Sequence, residues 1–238
     1  DNTRVFLSWL REATIRHRSR IRFIISGSVG LEPLLTRAGI SETINTFTPV
    51  PIGPWERETA RGYLEDRAGR IGIAFEEGAA ENLLDRLDYL IPHHVAMFLH
   101  FVRRDLSFHG KSVCTTKDID RIYEHDMLSV HGHVDLATYE DRLKRVVPQE
   151  WFGAALELLT EAAIVGRLTP PAALAIVRAN GLEERESVDT LRFLLGVFDH
   201  DGYLRRVGDG YAFVSLLLRD WWRNRFGFGY VPADQREG

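Results

Sequence analysis

Arg22-Phe23-Ile24-Ile25-Ser26-Gly27-Ser28 is the stretch on which the fold turns. A short apolar run with two β-branched isoleucines ends in Ser-Gly-Ser and continues into Leu31-Glu32-Pro33-Leu34-Leu35. That order predicts a buried strand, a turn of small residues and then a helix. A buried strand needs neighbours, and one strand is not a sheet. Residues 1–20 offer a single helix, from Val5 to about Thr14, and no second strand. The segment therefore reads as the last piece of an α/β domain whose other strands are missing, with a mainly α remainder after residue 50. On this reading the chain is the carboxy-terminal portion of something larger.

The composition is that of an ordinary globular chain. Its 238 residues suffice for one large or two small domains, with 45% hydrophobic and 27% charged side chains. A net charge of −4 gives no global pull toward nucleic acid or anionic membrane. The single cysteine, Cys114, excludes an intrachain disulfide and any multi-cysteine zinc site. It suits a reducing compartment, so a cytoplasmic location is expected. No apolar run approaches the roughly 18 residues of a membrane span, and residues 1–10 do not read as a signal peptide. Charge is uneven in one place. Arg11, Arg16, His17, Arg18, Arg20 and Arg22 crowd the stretch before the expected strand. They form either a solvated loop or a basic surface facing a partner or nucleotide phosphates.

Phe47-Thr48-Pro49-Val50-Pro51-Ile52-Gly53-Pro54 is an extended connector, because each proline fixes its own φ and extends its predecessor. A domain boundary is expected there. Helices are predicted over Trp55–Gly69 and Phe75–Leu87, the second with Ala79, Leu83, Leu84 and Leu87 on one face. Pro92 fits the first turn of a third helix, apolar nearly all round through Val95, Met97, Phe98, Leu99 and Phe101. Thr115-Thr116-Lys117-Asp118 caps a fourth, with Ile119, Ile122 and Tyr123 inward. A fifth covers roughly Val134 to Arg145, and Pro148 marks the next boundary.

Beyond Pro148, Trp151, Ala155, Leu158 and Leu159 line one amphipathic helix. Thr169-Pro170 caps a second, ended by Asn180-Gly181. Ser187 caps a third, carrying Leu191, Leu194, Leu195 and Val197. Tyr203–Val207 and Tyr211–Val214 alternate with a strand period around Gly208-Asp209-Gly210, a hairpin signal. Three helices followed by a hairpin is the order of a winged helix. A last helix holds Leu216, Leu217, Leu218, Trp221 and Trp222. Trp151, Leu158, Leu195, Phe213 and Trp221 are the expected core of this unit. The boundaries are therefore 1–50, 51–147, 148–228 and a tail at 229–238.

Gly110-Lys111-Ser112 mimics the end of a phosphate-binding loop. The glycine five residues earlier is replaced by Asp105, a helix precedes and a loop follows, so the backbone N–H cradle is not expected. No other such loop exists in the sequence, and nucleotide binding by these residues alone is not expected. His93-His94 point about 100° apart on a helix and make a poor metal pair, and His131-Gly132-His133 lacks carboxylate support; no metal site is assigned. No nucleophile–histidine arrangement has supporting context. In the winged helix, Arg205, Arg206, Arg219, Arg223 and Arg225 are the candidate nucleic-acid contacts. Residues 167–238 nevertheless carry ten Arg against ten Asp or Glu, and the third helix exposes Asp189 and Asp199. Phosphate neutralisation dominates DNA affinity, so weak, non-specific binding is expected at best.

Three segments together resemble a known family. Ile21–Leu35, Leu90-Ile91-Pro92-His93-His94 with its helix, and the motifs Asp201-Gly202-Tyr203-Leu204, Tyr211-Ala212-Phe213 and Leu218-Arg219-Asp220-Trp221-Trp222-Arg223 look like prokaryotic AAA+ ATPases of the archaeal-ATPase/STAND type. The resemblance implies the end of an α/β P-loop core, a helical lid and a carboxy-terminal winged helix, covering nearly the whole chain. It implies an upstream P-loop core, with ATP and Mg bound in the full-length parent and neither by this chain alone. Ser26 or Ser28 would take the sensor-one position, where the family often has Asn or Thr. Pro92 and His93 would lie by the nucleotide; Leu90 stands where the family often has glycine. The partners implied are the upstream core and a protein partner. The alternative is a non-catalytic winged-helix adaptor for protein or DNA contacts.

Overall fold

The computed structural model describes residues 2–17, 20–26, 31, 35–36, 38–50, 52–181 and 184–236, with the side chains at 130–135 and 184–185 set aside. The chain is mainly helical. Helix α1 (Asn2–Arg16) buries Leu7 and Leu10 against Leu35 and Ile40, with Phe23, Leu31, Ile44 and Phe47 packed around them. This is a small cluster, separate from the main core.

The strand expected at Arg22–Ile25 does not form: residues 21–26 carry no ladder, and Ile24 is 98% exposed. The apolar run fits a strand, but no described strand lies beside it to take its backbone hydrogen bonds. Phe23 leans on Trp9 instead, with ring centroids 6.3 Å apart.

Past the proline-rich connector the chain builds one continuous core, running from Ala60 to Trp222. Helix α2 (Arg57–Arg70) buries Ala60, Leu64 and Ala68. The helix predicted from Phe75 starts later, because Ala74–Phe75 (β1) pairs in parallel with Val113–Cys114 (β2). Gly78, at φ +80°, then turns the chain into α3 (Ala79–Leu87). A left-handed residue is easiest for glycine, which has no Cβ to clash. Helix α4 (Pro92–Phe108) starts on its proline and buries Val95, Met97, Phe98, Leu99, Phe101, Val102 and Leu106, as a central helix must.

Helix α5 (Thr116–Ile122) opens with a reciprocal cap. The Asp118 N–H donates to Thr115 Oγ1 over 3.2 Å, and the Thr115 N–H donates to Asp118 Oδ2 over 3.0 Å. Its end widens into one π-helical turn, Tyr123–Met127, closed by a Leu128 N–H to Tyr123 C=O bond of 3.1 Å. Helix α6 spans Val130–Val146, a turn longer at its start than expected.

The remaining elements are α7 (Gln149–Val165), α8 (Pro170–Ala179), α9 (Glu184–His200), β3 (Leu204–Val207), β4 (Gly210–Phe213) and α10 (Leu216–Phe226). Helix α9 begins before Ser187, which is buried within it rather than capping it. β3 and β4 are antiparallel, with Leu204 opposite Phe213 and Val207 opposite Gly210, so the hairpin turns on Gly208 and Asp209. Leu168 and Tyr211 exchange backbone hydrogen bonds of 2.7 and 2.9 Å, adding a third short segment beside β4. Trp221, Trp222, Tyr203 and Phe198 are fully buried here, each side chain contributing about 1.5–3 kcal/mol. Of the five expected core residues, Leu158, Phe213 and Trp221 are buried, while Trp151 and Leu195 are half-buried at the margin. The expected boundary at Pro148 is a turn of the chain across which the core continues, from Leu143 and Val147 to Ala154 and Leu158.

Candidate functional site

The start of α4 is the first candidate region. The Trp55 N–H donates to Leu90 C=O over 2.9 Å, tying the connector to the turn before Pro92. Ile91 is extended, with φ −62° and ψ 127°, and no side chain caps the helix behind it. Pro92 is half-buried and His93 exposed, so both can meet a ligand. His94 points the other way. It is 3% exposed, lies 6.3 Å from the Tyr139 ring, and its Nδ1 has no hydrogen-bond partner. Burial, reinforced by the charges of His93 and Arg142, pushes its pKa down to about 4, so it is neutral at physiological pH. The two histidines therefore do not act as a pair.

Ser26 is exposed in a segment without regular structure, and Ser28 lies outside the described residues. Gly110-Lys111-Ser112 sits between α4 and β2, where Lys111 Nζ is 3.2 Å from Asp118 Oδ1. The expected loop after it is instead the short strand β2 and the capped helix α5. The Asp118 carboxylate holds the cluster together. Burial alone would raise its pKa, but donors from Thr115, Lys111 and Arg121 outweigh it and hold the group well below the usual carboxylate range. Lys111 is thus committed to structure. Cys114 is buried, and desolvation with the charges of Asp118 and Asp105 pushes its thiol up to about 12, so it is inert.

A cavity of about 440 Å³ opens between α2, β1 and α3. Glu65, Glu76, Glu77 and Glu81 line it beside Arg61, and Arg61 is already paired with Glu81. That wall repels a polyphosphate. Among the described residues no group of three His, Cys, Asp or Glu side chains could hold a metal ion.

The five arginines of the C-terminal unit divide into two groups. Arg219 lies 2.7 Å from Asp220, and Arg225 Nε lies 2.8 Å from Glu140 while its guanidinium covers Trp221 and Phe226. Arg205, Arg206 and Arg223 are exposed and carry no ion pair among the described residues. The outer face of α9 presents Glu186, Asp189 and Asp199, with Arg192 bound to Asp189 at 2.7 Å. His131 and His133 lie among the side chains left undescribed.

The chain matches no protein-family model, no curated protein and no solved structure.

What sequence reading missed is the polar seam joining the two halves of the core. Tyr123 Oη donates to Asp220 Oδ2 over 2.9 Å, and the same carboxylate receives Arg219. Tyr203 Oη donates to the Tyr139 C=O over 2.6 Å. Glu140, nearly buried, accepts from Lys144 and from Arg225. Burial alone would raise the Glu140 pKa; the two cations outweigh that and lower it. The Tyr123–Asp220, Tyr203–Tyr139 and Arg225–Glu140 bonds cross from the π turn or α6 to the C-terminal elements. Their sequence separations of 97, 64 and 85 residues left no local pattern to read.

Proposed function

We propose that residues 52–226 are the lid and winged-helix unit of an AAA+/STAND-type ATP-driven switch protein, acting in the cytoplasm. The observation that carries this reading is the Leu168–Tyr211 exchange. It turns α7, α8, α9 and the β3–β4 hairpin into three helices with a three-segment sheet, in the order of a winged helix. The helices α2–α6 supply the lid. ATP binding is the work of a P-loop core that these 238 residues do not contain, with Mg bound there and Pro92 and His93 closing over the nucleotide. The seam of Tyr123, Asp220, Glu140 and Arg225 makes lid and winged helix move together when the nucleotide state changes. A switch needs such a unit, because coupling travels through packed elements with discrete arrangements.

Contact with that core, rather than DNA reading, is the winged helix's main task, because α9 presents an acidic face. The adaptor reading rests on Arg205, Arg206 and Arg223, whose charges are not used within the described chain. Amide exchange on a parent protein carrying the P-loop core separates the two. Nucleotide-dependent protection at His93–Val95 supports the switch; indifference of that segment to nucleotide favours the adaptor.

A further inference from the structure

Residues 227–236 lie against α7 and α8, and the contact is polar at its centre. Glu161, on α7, is 2% exposed, and no cation pairs with it among the described residues. Its Oε2 accepts from Tyr230 Oη over 2.8 Å and from the Ala233 N–H over 3.1 Å. One turn earlier Glu157 accepts from Asn180 Nδ2 over 2.7 Å and from Arg236. Arg236 also covers the Tyr230 ring, 5.2 Å from its centroid, and donates to the Val231 C=O over 3.0 Å. A buried carboxylate without donors is costly, so Glu161 is built to receive a segment, and among the described residues the donors to its side chain come from this one.

The segment is joined to the core by a loose link. Phe228 is fully exposed between Gly227 and Gly229, and Gly229 is left-handed at φ +72°. Few apolar groups among the described residues hold the segment beyond that point; Ala233 packs on the core. An ordinary surface helix of Leu and Ala would place neither Glu157 nor Glu161 beneath a tail.

We propose that the Glu157–Glu161 face of α7 is a peptide-docking site, and that residues 230–236 are its resident, displaceable occupant. The partner it fits is a segment presenting a phenol hydroxyl, the first backbone N–H of a short 3-10 turn three residues later and a guanidinium six residues after the phenol, as this segment does around Ala233–Gln235. The tail keeps the site closed until such a segment competes for it.

The test uses the full chain and a fluorescent peptide with the sequence of residues 227–236. Resident occupancy lowers the apparent affinity by the fraction of sites left open. The Tyr230→Phe, Arg236→Ala chain, with folding checked by circular dichroism, should therefore bind the peptide at least about tenfold more tightly than the unaltered chain. Adding Glu161→Gln should abolish that gain, and a peptide carrying the same two changes should not bind. Equal binding by both chains overturns the proposal. If the altered chain does not fold, amide exchange on the unaltered chain decides. Exchange of the Ala233 amide about 100-fold faster than the α10 core amides supports a displaceable strap, and exchange only through global unfolding overturns it.

Discussion

Tyr123 and Asp220 lie 97 residues apart in sequence and 2.9 Å apart in space. Tyr123 stands on the π turn after α5, and its phenol is held strongly protonated by burial and by the Asp220 charge. Asp220 is the second-turn residue of α10 and also binds its neighbour Arg219. The pair fixes the last helix on the helical bundle by a bond to a charged group. Tyr123→Phe keeps the ring and removes only that bond, so it should cost about 1–2 kcal/mol. A double-mutant cycle with Asp220→Ala, read by urea denaturation, should give a coupling above roughly 0.5 kcal/mol. Additive losses would show that the two groups do not act together.

Arg225 lies between Glu140 and the rings of Trp221 and Phe226. Removing it leaves a nearly buried carboxylate with Lys144 alone. Arg225→Ala should destabilise the fold by about 1–2 kcal/mol, less than for a fully buried pair because the guanidinium is partly exposed. Arg223→Ala, on the open face of the same helix, should stay within about 0.5 kcal/mol. Thermal unfolding of the two variants side by side measures the difference.

His94 makes stability depend on pH. Its folded pKa of about 4 lies below the ordinary 6.5, so the unfolded chain binds the proton first as pH falls. Stability from this group is full above pH 6.5 and is lost down to about pH 4, by ~3 kcal/mol in all. Asp118 and Glu140, both lowered, act in the same direction. Their contribution is present above the ordinary carboxylate range and lost below it. His94→Phe should flatten the loss between pH 6.5 and 4.5 while leaving the loss below pH 4. An unchanged profile in the variant would contradict the buried, neutral assignment.

Nucleic-acid binding should be weak. Of the five candidate arginines, Arg219 and Arg225 serve carboxylates of this chain, which leaves Arg205, Arg206 and Arg223. Each phosphate contact contributes close to one unit of salt dependence. Band shifts at about 150 mM salt, where charges are screened beyond roughly 8 Å, should show no sequence preference. Tight, sequence-dependent binding lost in Arg205→Ala with Arg206→Ala would favour the adaptor reading.

Elements whose signals are local were legible in the sequence. The Thr115 cap, the Pro92 start, the Asn180-Gly181 stop and the Gly208-Asp209 turn each come from a residue's own stereochemistry, and each stands where expected. The Arg22–Ile25 run was misread because a strand is made by its neighbour, and an apolar run records only the wish to be covered. Ser187 was misread because a hydroxyl that can cap a helix can also be buried inside one. Of the site residues, the divergence of His93 and His94 followed from helix geometry, but the burial of His94 did not. The seam and the Glu161 contact did not, since they join residues dozens of positions apart. Glu157 and Glu161, four apart within the apolar run of α7, were the one visible trace.

The central claim is that this chain is the lid and winged-helix half of an ATP switch, and a titration with a fluorescent ATP analogue tests it most directly. Residues 1–238 alone should show no saturable binding, and a parent carrying the upstream P-loop core should bind at micromolar concentrations, more weakly after Pro92→Ala or His93→Ala. Saturable micromolar binding by residues 1–238 themselves, or a parent indifferent to both changes, would contradict it.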